Sequence, residues 1–215
     1  MDIGRIFVTG GIVMFPLLGF SILAVALILE RIGFWWRIGK RQDRLVREVL
    51  TVYPRSPQAA IDRLERNGDL PIARIFLSAL DLESPNPEEF RLALESAAQA
   101  EIPLLKRFST VFETIISLSP LLGLLGTILG LIASFASLRI GDVGGTNTVG
   151  VSAGISEALV STASGLVVAI VTLLFANTFR GLYLRQIALI QEYGGQLELL
   201  YRRHYEQGRK PYAPT

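Results

Sequence analysis

The chain contains no cysteine and a single histidine, His204, set in a polar tail. Without cysteine there can be no disulfide and no thiolate metal site. One histidine outside the apolar regions argues against a histidine metal centre or an imidazole acid–base catalyst within one chain. No nucleophile–base pair and no cluster of metal-ligand residues stands out either, so the sequence reads as no enzyme, with no metal and no cofactor. Charge is missing from three long stretches: Gly10 to Leu29, Thr114 to Leu138 and Ala158 to Phe179 hold no Asp, Glu, Lys or Arg.

What is present is apolar. Half of the 215 residues are hydrophobic, and the mean hydropathy is +0.43. That is too apolar for an ordinary soluble domain and fits a small multi-span membrane protein. The uncharged stretches are 20, 25 and 22 residues long. About 20 residues at roughly 1.5 Å rise cross the hydrocarbon core, so all three are expected to span. Trp35 and Trp36 follow the first span, where interfacial aromatics belong. The apolar run of that span exceeds the 7–15 residues of a signal peptide, and its positive charges follow it, so it reads as a retained helix.

The pI near 9.1 could suggest nucleic acid, but the basic residues follow membrane topology instead. Of 21 Lys and Arg, 13 lie in residues 30–107 and 6 in residues 180–215, leaving Arg5 and Arg139. By the positive-inside rule the two basic segments are cytoplasmic. The N-terminus is then periplasmic, the 139–153 connection (with GDVGGTNTVG) is a short outer turn, and the C-terminus is inside. The expected organisation is residues 1–37 for the N-terminus and first span, 38–107 for a cytoplasmic helical segment, 108–180 for the second and third spans, and 181–215 for a cytoplasmic helix and tail.

The inner segment reads as helices with breaks. Lys40 to Tyr53 is charged and periodic, and Pro54 stops it. Ser56-Pro57 gives a cap followed by proline at the first helical position, and Asn67-Gly68 ends that helix. Ile72 to Leu82 is amphipathic. Asn86-Pro87-Glu88-Glu89 is a strong start, with a cap, a proline and acids against the helix dipole. From there a helical pattern runs through Arg107 toward the second span, with a kink expected at Pro103. The last helix is expected to continue from the third span through about Tyr205. The terminal GRKPYAPT carries no readable signal.

Groups that hydrocarbon rejects sit inside or beside the second and third spans: Thr127 in SPLLGLLGTILG, and Glu157 and Thr162 in GISEALVSTASGLVVAI. An acid in an apolar span costs about 2.5–3.5 kcal/mol on insertion scales unless it faces protein or water. Thr127 lies about 16 Å below the outer end of its span and Thr162 about 14 Å below its own, so one polar layer is expected. Pro120, Gly123, Gly130 and Ser134 fall on roughly the face of Thr127, and Glu157, Ser161 and Ser164 share a face. Thr162 is about 140° round the helix from Glu157.

Two readings are open for these residues. Thr and Ser in spans bond back to their own backbone or glue helices together. Gly123, Gly126 and Gly130, including a GxxxG, point to close helix packing, and Pro120 to a kink. Glu157 is the exception, because an intramembrane acid is by default part of an ion path. Glu113 reads as interfacial.

At these residues the chain resembles the ExbB/TolQ/MotA proton-channel family, and within it the three-span ExbB and TolQ branch. The resemblance covers nearly the whole chain. It rests on GGIVMFPLLGFSILAVALILERIGFWW, NGDLPIARIFLSAL, SPLLGLLGTILGLIASF and ISEALVSTASGLVVAIVTLLFANTF together. It implies an all-α, three-span inner-membrane protein whose second and third helices extend into the cytoplasm and line the pore of a ring, a pentamer. Two single transmembrane helices of an ExbD- or TolR-like partner would sit inside, and a partner aspartate would take and release protons. The work would reach a TonB- or TolA-like protein, energising outer-membrane transport in the ExbB role or maintaining the envelope in the TolQ role. Thr127, Glu157 and Thr162 would then form the proton pathway, with Pro120, Gly123, Gly126 and Gly130 shaping the helix packing.

Overall fold

The computed structural model describes residues 10–137 and 148–209, with no side-chain account of 148, 149 and 207–209. The expectations for Arg5, Leu138, Arg139, the first part of GDVGGTNTVG and the end of GRKPYAPT lie outside the described residues. Among the described residues the chain is all helix and turn, with no strand. Among these residues six helices follow one another: α1 (Met14–Val52), α2 (Pro57–Glu65), α3 (Pro71–Leu80), α4 (Pro87–Leu105), α5 (Ser109–Ser137) and α6 (Thr148–Arg209). Among the described residues three helical stretches are long and apolar enough to cross a membrane, and they hold residues 14–29, 114–137 and 158–179 of the three expected spans.

The local signals act where the sequence places them. The Ser56 side chain accepts from the Ala59 backbone N–H, and Pro57 opens α2. Asn86 accepts from the N–H groups of Glu88 and Glu89, while Glu89 accepts from the N–H of Asn86, which completes a capping box. Three boundaries differ from expectation. The first span and the charged Lys40–Tyr53 stretch form one helix, because nothing between them breaks the backbone ladder. Pro103 stays inside α4, and the break falls instead after Leu105, where Phe108 takes a φ of +68°. A bulky residue rarely adopts this left-handed conformation, and here it separates α4 from α5 and accepts from the Phe112 N–H. Finally, α6 already begins at Thr148, inside the expected outer turn, and runs to Arg209.

The chain divides into two compact units. The first comprises residues up to Arg31 together with Phe108–Phe179 and holds the apolar halves of α1, α5 and α6. Many of its large apolar side chains point outward, Leu121, Phe135 and Leu159 at 58, 70 and 67% exposure among them. The residues buried on α5 are mostly small: Ser119, Gly123, Gly126, Gly130 and Ser134, with Phe112 and Ile115 near its start. At the Arg31 end of this unit, Arg31 is buried, bonds Glu30 and lies 5.8 Å above the Phe108 ring.

The second unit comprises Ile32–Arg107 and Arg180 onward. Its buried residues are large: Leu64, Leu70, Ile72, Ile75, Phe76 and Phe90, with Leu197 from α6. The Phe90 ring stacks on Tyr201 at 4.0 Å, and the Tyr201 hydroxyl donates to the Pro85 carbonyl. Arg74 holds Glu101 through two bonds of 2.7 and 2.6 Å and also donates to the Gly68 carbonyl. Hydrogen bonding to that carboxylate keeps the Arg74 guanidinium above its ordinary pKa. Gln42 and Gln186 exchange amide hydrogen bonds in a buried pair. Burial pushes the Tyr53 hydroxyl up to about 12, with Tyr201 adding to the shift.

Candidate functional site: the seam between the second and third spans

The candidate residues lie within the first unit, where α5 and α6 run antiparallel in close contact. Their touching faces are two stripes of small residues. On α5 the stripe is Ser119, Gly123, Gly126, Gly130 and Ser134; on α6 it is Gly154, Ala158, Ser161, Gly165, Ala169 and Thr172, all buried. A Cβ at Gly130 would stand 2.6 Å from the Gly154 carbonyl oxygen, and one at Gly154 would stand 2.6 Å from the Gly130 carbonyl oxygen. A Cβ at Gly123 would meet the Thr162 Cα at 3.0 Å, and one at Gly165 would run into the Ser119 carbonyl. No side chain fits at these contacts, so the two backbones touch.

The hydroxyls along the seam satisfy backbone carbonyls. Ser134 donates to the carbonyls of Gly130 at 3.0 Å and Val151 at 3.1 Å. Thr162, half-buried, donates across the seam to the Gly123 carbonyl at 3.0 Å. Ser161 donates to the Ala158 carbonyl at 3.0 Å, with Gly123 a longer alternative at 3.4 Å. Thr127, also half-buried, donates to the Leu124 carbonyl of its own helix at 2.6 Å. Ser119 is fully buried beside Pro120, and its hydroxyl has no partner among the described residues. Pro120 lies within α5, which continues across it.

Gly123 facing Thr162 and Gly130 facing Gly154 fix the register of the pair. Thr127 then lies level with Glu157 and Ala158, about one turn, or roughly 6 Å, from the level of Thr162. The sequence expectation of a shared depth assumed that the helix ends align. The described ends, Ser137 and Thr148, are indeed level in this register, but that expectation counts the depth of Thr162 from Ala153; α6 begins five residues earlier, which puts Thr162 about one turn farther from that end than Thr127.

Glu157 is half-buried and has no hydrogen-bond or ion partner among the described residues. Its side chain lies against Gly11, just before α1: a Cβ there would overlap Oε1 and stand 2.6 Å from Cδ. Ser164 shares the expected face with Glu157 but donates to its own Val160 carbonyl. Among the described residues no group of three or more His, Asp or Glu is placed to hold a metal ion.

The geometry therefore brings Gly123, Gly126, Gly130 and Thr162 into one seam, and places Thr127 and Glu157 at one level on its flanks. Sequence reasoning missed Gly154, Ala158, Gly165 and Gly11. The first three carried a signal, since small residues recur on α6 at spacings of three or four. Gly11 carried none beyond lying beside Gly10 at the head of an apolar run.

Comparison with known proteins accords with this architecture. Residues 67–192, which include all of α5 and the apolar half of α6, match the MotA/TolQ/ExbB proton channel family. The chain belongs to that family. A Synechocystis protein named as an ExbB-like biopolymer transport protein (ExbB-like 3) is 65% identical over 207 residues, covering 96% of this chain and 99% of its own length. A second Synechocystis protein, ExbB-like 1, is 41% identical over 206 residues, 95% of this chain and 81% of its own. The biopolymer transport protein ExbB of Aquifex aeolicus is 39% identical over 98 residues, 46% of this chain and 62% of its own. With its three long apolar helices, this member of the MotA/TolQ/ExbB family is a multi-pass membrane protein.

Proposed function

We propose that this chain is the ring-forming subunit of an ExbB-type proton-driven motor in a bacterial inner membrane. One observation carries the reading: in a member of a proton channel family, Glu157 is a carboxyl without a partner among the described residues, set inside an apolar helix at the edge of a glycine-lined seam. No described group bonds its lone pairs or its proton, and an acid so placed exchanges protons with water or a second chain.

The threonines have a defined chemistry in this reading. Both hydroxyl hydrogens are committed to carbonyls, Thr127 to Leu124 and Thr162 to Gly123. Their oxygens therefore accept rather than donate. They suit a water, a hydronium ion or the protonated form of a partner's carboxyl, and they offer an ionised carboxylate little. Protons would pass Glu157 and these oxygens while an ExbD- or TolR-like helix pair occupies the centre of a pentamer. The basic segments, residues 30–107 and 180–215, face the cytoplasm, and the N-terminus faces the periplasm. The work delivered through a TonB-like protein energises outer-membrane transport.

A second reading also has an observation behind it. The Thr162 bond to Gly123 and the Thr127 bond to Leu124 are what a purely structural membrane scaffold would use. The native mass of the detergent-extracted complex, co-expressed with an ExbD/TolR-type single-span protein, separates the two. Five 23.6 kDa chains with two small partners supports the motor. A monomer or dimer that ignores the partner removes the ring and leaves the scaffold.

A further inference from the structure

The turn ahead of α1 has an unusual backbone conformation. Gly11 takes a φ of +71°, in the region L side chains rarely adopt. It lies against the Glu157 side chain along its length: a Cβ would overlap Oε1, stand 2.6 Å from Cδ and 3.1 Å from Cγ. Glycine is thus demanded twice, by the backbone and by the acid. The turn is also anchored. The Gly11 carbonyl accepts from the Met14 N–H at 3.1 Å, and Val13 lies 3.6 Å from where a Cβ of Gly126 would be. Val13, Met14 and Leu17 form a buried cluster with Leu122 packed against it.

We propose that Gly11 is a positioning residue for Glu157: its bare backbone covers the carboxyl, holds it at the level of Thr127, and limits its exchange of protons with its surroundings. The inference rests on the reading of Glu157 as a proton-path residue. Its physical basis is the absence of any ion pair or hydrogen bond to Glu157 among the described residues. With no described partner to fix it, the carboxyl is fixed by what packs on it. The atoms a Cβ would strike belong to a flexible side chain rather than to a backbone. Adding that Cβ should therefore swing the acid aside and leave the helices in place.

The test is the rate at which dicyclohexylcarbodiimide modifies Glu157 in native membranes holding the full chain with its partner. The rate is read by peptide mass across a pH series, with Glu157→Gln as the blank. Gly11→Ala adds a methyl and backbone strain; Gly11→Asn adds the same Cβ at a residue that tolerates positive φ. Both are expected to raise the labelling rate several-fold and shift its pH midpoint while the native mass of the complex is retained. Combining Gly11→Ala with Glu157→Asp, whose shorter side chain clears the added methyl, is expected to return the rate at position 157 toward that of Glu157→Asp alone. Unchanged rates and midpoints in both Gly11 variants would overturn the proposal. So would loss of the complex in both without rescue by Glu157→Asp, which would make Gly11 a folding residue. If Glu157→Gln retained full proton flux, Glu157 would leave the pathway, but the labelling comparison would still decide what Gly11 does to it.

Discussion

The two units of this chain are held together by opposite kinds of residue. In the membrane unit the contact between α5 and α6 is made of Gly, Ala, Ser and Thr, while Leu121, Phe135 and Leu159 face outward. In the other unit Phe76, Phe90, Ile72, Ile75 and Leu197 are fully buried, and charged pairs such as Arg44–Glu48 and Arg91–Glu95 lie exposed. The solvent explains the reversal. In water, burying large apolar side chains is the main driving force. In lipid it gains little, because acyl chains are as apolar as leucine, so helices associate where small residues let backbones touch and hydroxyls find carbonyls.

This contrast predicts mirror-image sensitivities. The largest effect is expected for Gly130→Leu, which has no room against the Gly154 carbonyl at 2.6 Å. The α5–α6 seam should open, with loss of the native oligomer on size exclusion. Normal assembly of this variant would break the comparison at its strongest point. Phe90→Ala should act in the opposite sense, by removing bulk, and cost about 3–5 kcal/mol in the second unit as read by thermal unfolding. Glu101→Ala leaves Arg74 without its two-pronged partner in a partly exposed site, and an unfolding shift of about 1 kcal/mol is expected.

The smallest effect is a pH dependence confined to the second unit. The Tyr53 hydroxyl titrates near 12 when folded, against an ordinary value of 10.0. Because the folded state holds the proton more tightly, this group's contribution is fully present below pH 10 and is lost as pH rises from 10 through 12. Tyr53→Phe should flatten stability over that window. An unchanged alkaline slope would mean the phenol is not buried as described.

Much of the fold was legible because its signals are local. Uncharged runs of about 20 residues, the Ser56-Pro57 and Asn86-Pro87 starts, and acids at Glu88 and Glu89 each act within one helix turn. The break at Phe108 was not legible, since a left-handed phenylalanine leaves no mark in composition and Pro103 offered a more obvious place. The components of the candidate site were legible: an acid at Glu157 and glycines at 123, 126 and 130 stand out in any apolar run. Its register was not, because the start of α6 at Thr148 lies in a Gly- and Thr-containing stretch that reads as a turn, and the depth of Thr162 is counted from Ala153 instead. The cover over Glu157 depends on Gly11, more than 140 residues away in sequence, and only the tertiary contact exposes it.

The central claim is that the polar residues at the seam carry protons rather than merely holding helices together. Proton flux into vesicles containing the assembled complex, with native mass checked for each variant, tests it most directly. Glu157→Gln and Thr162→Val are predicted to keep the native mass and reduce flux to that of protein-free vesicles. Intact complexes of both variants with full flux would contradict the account.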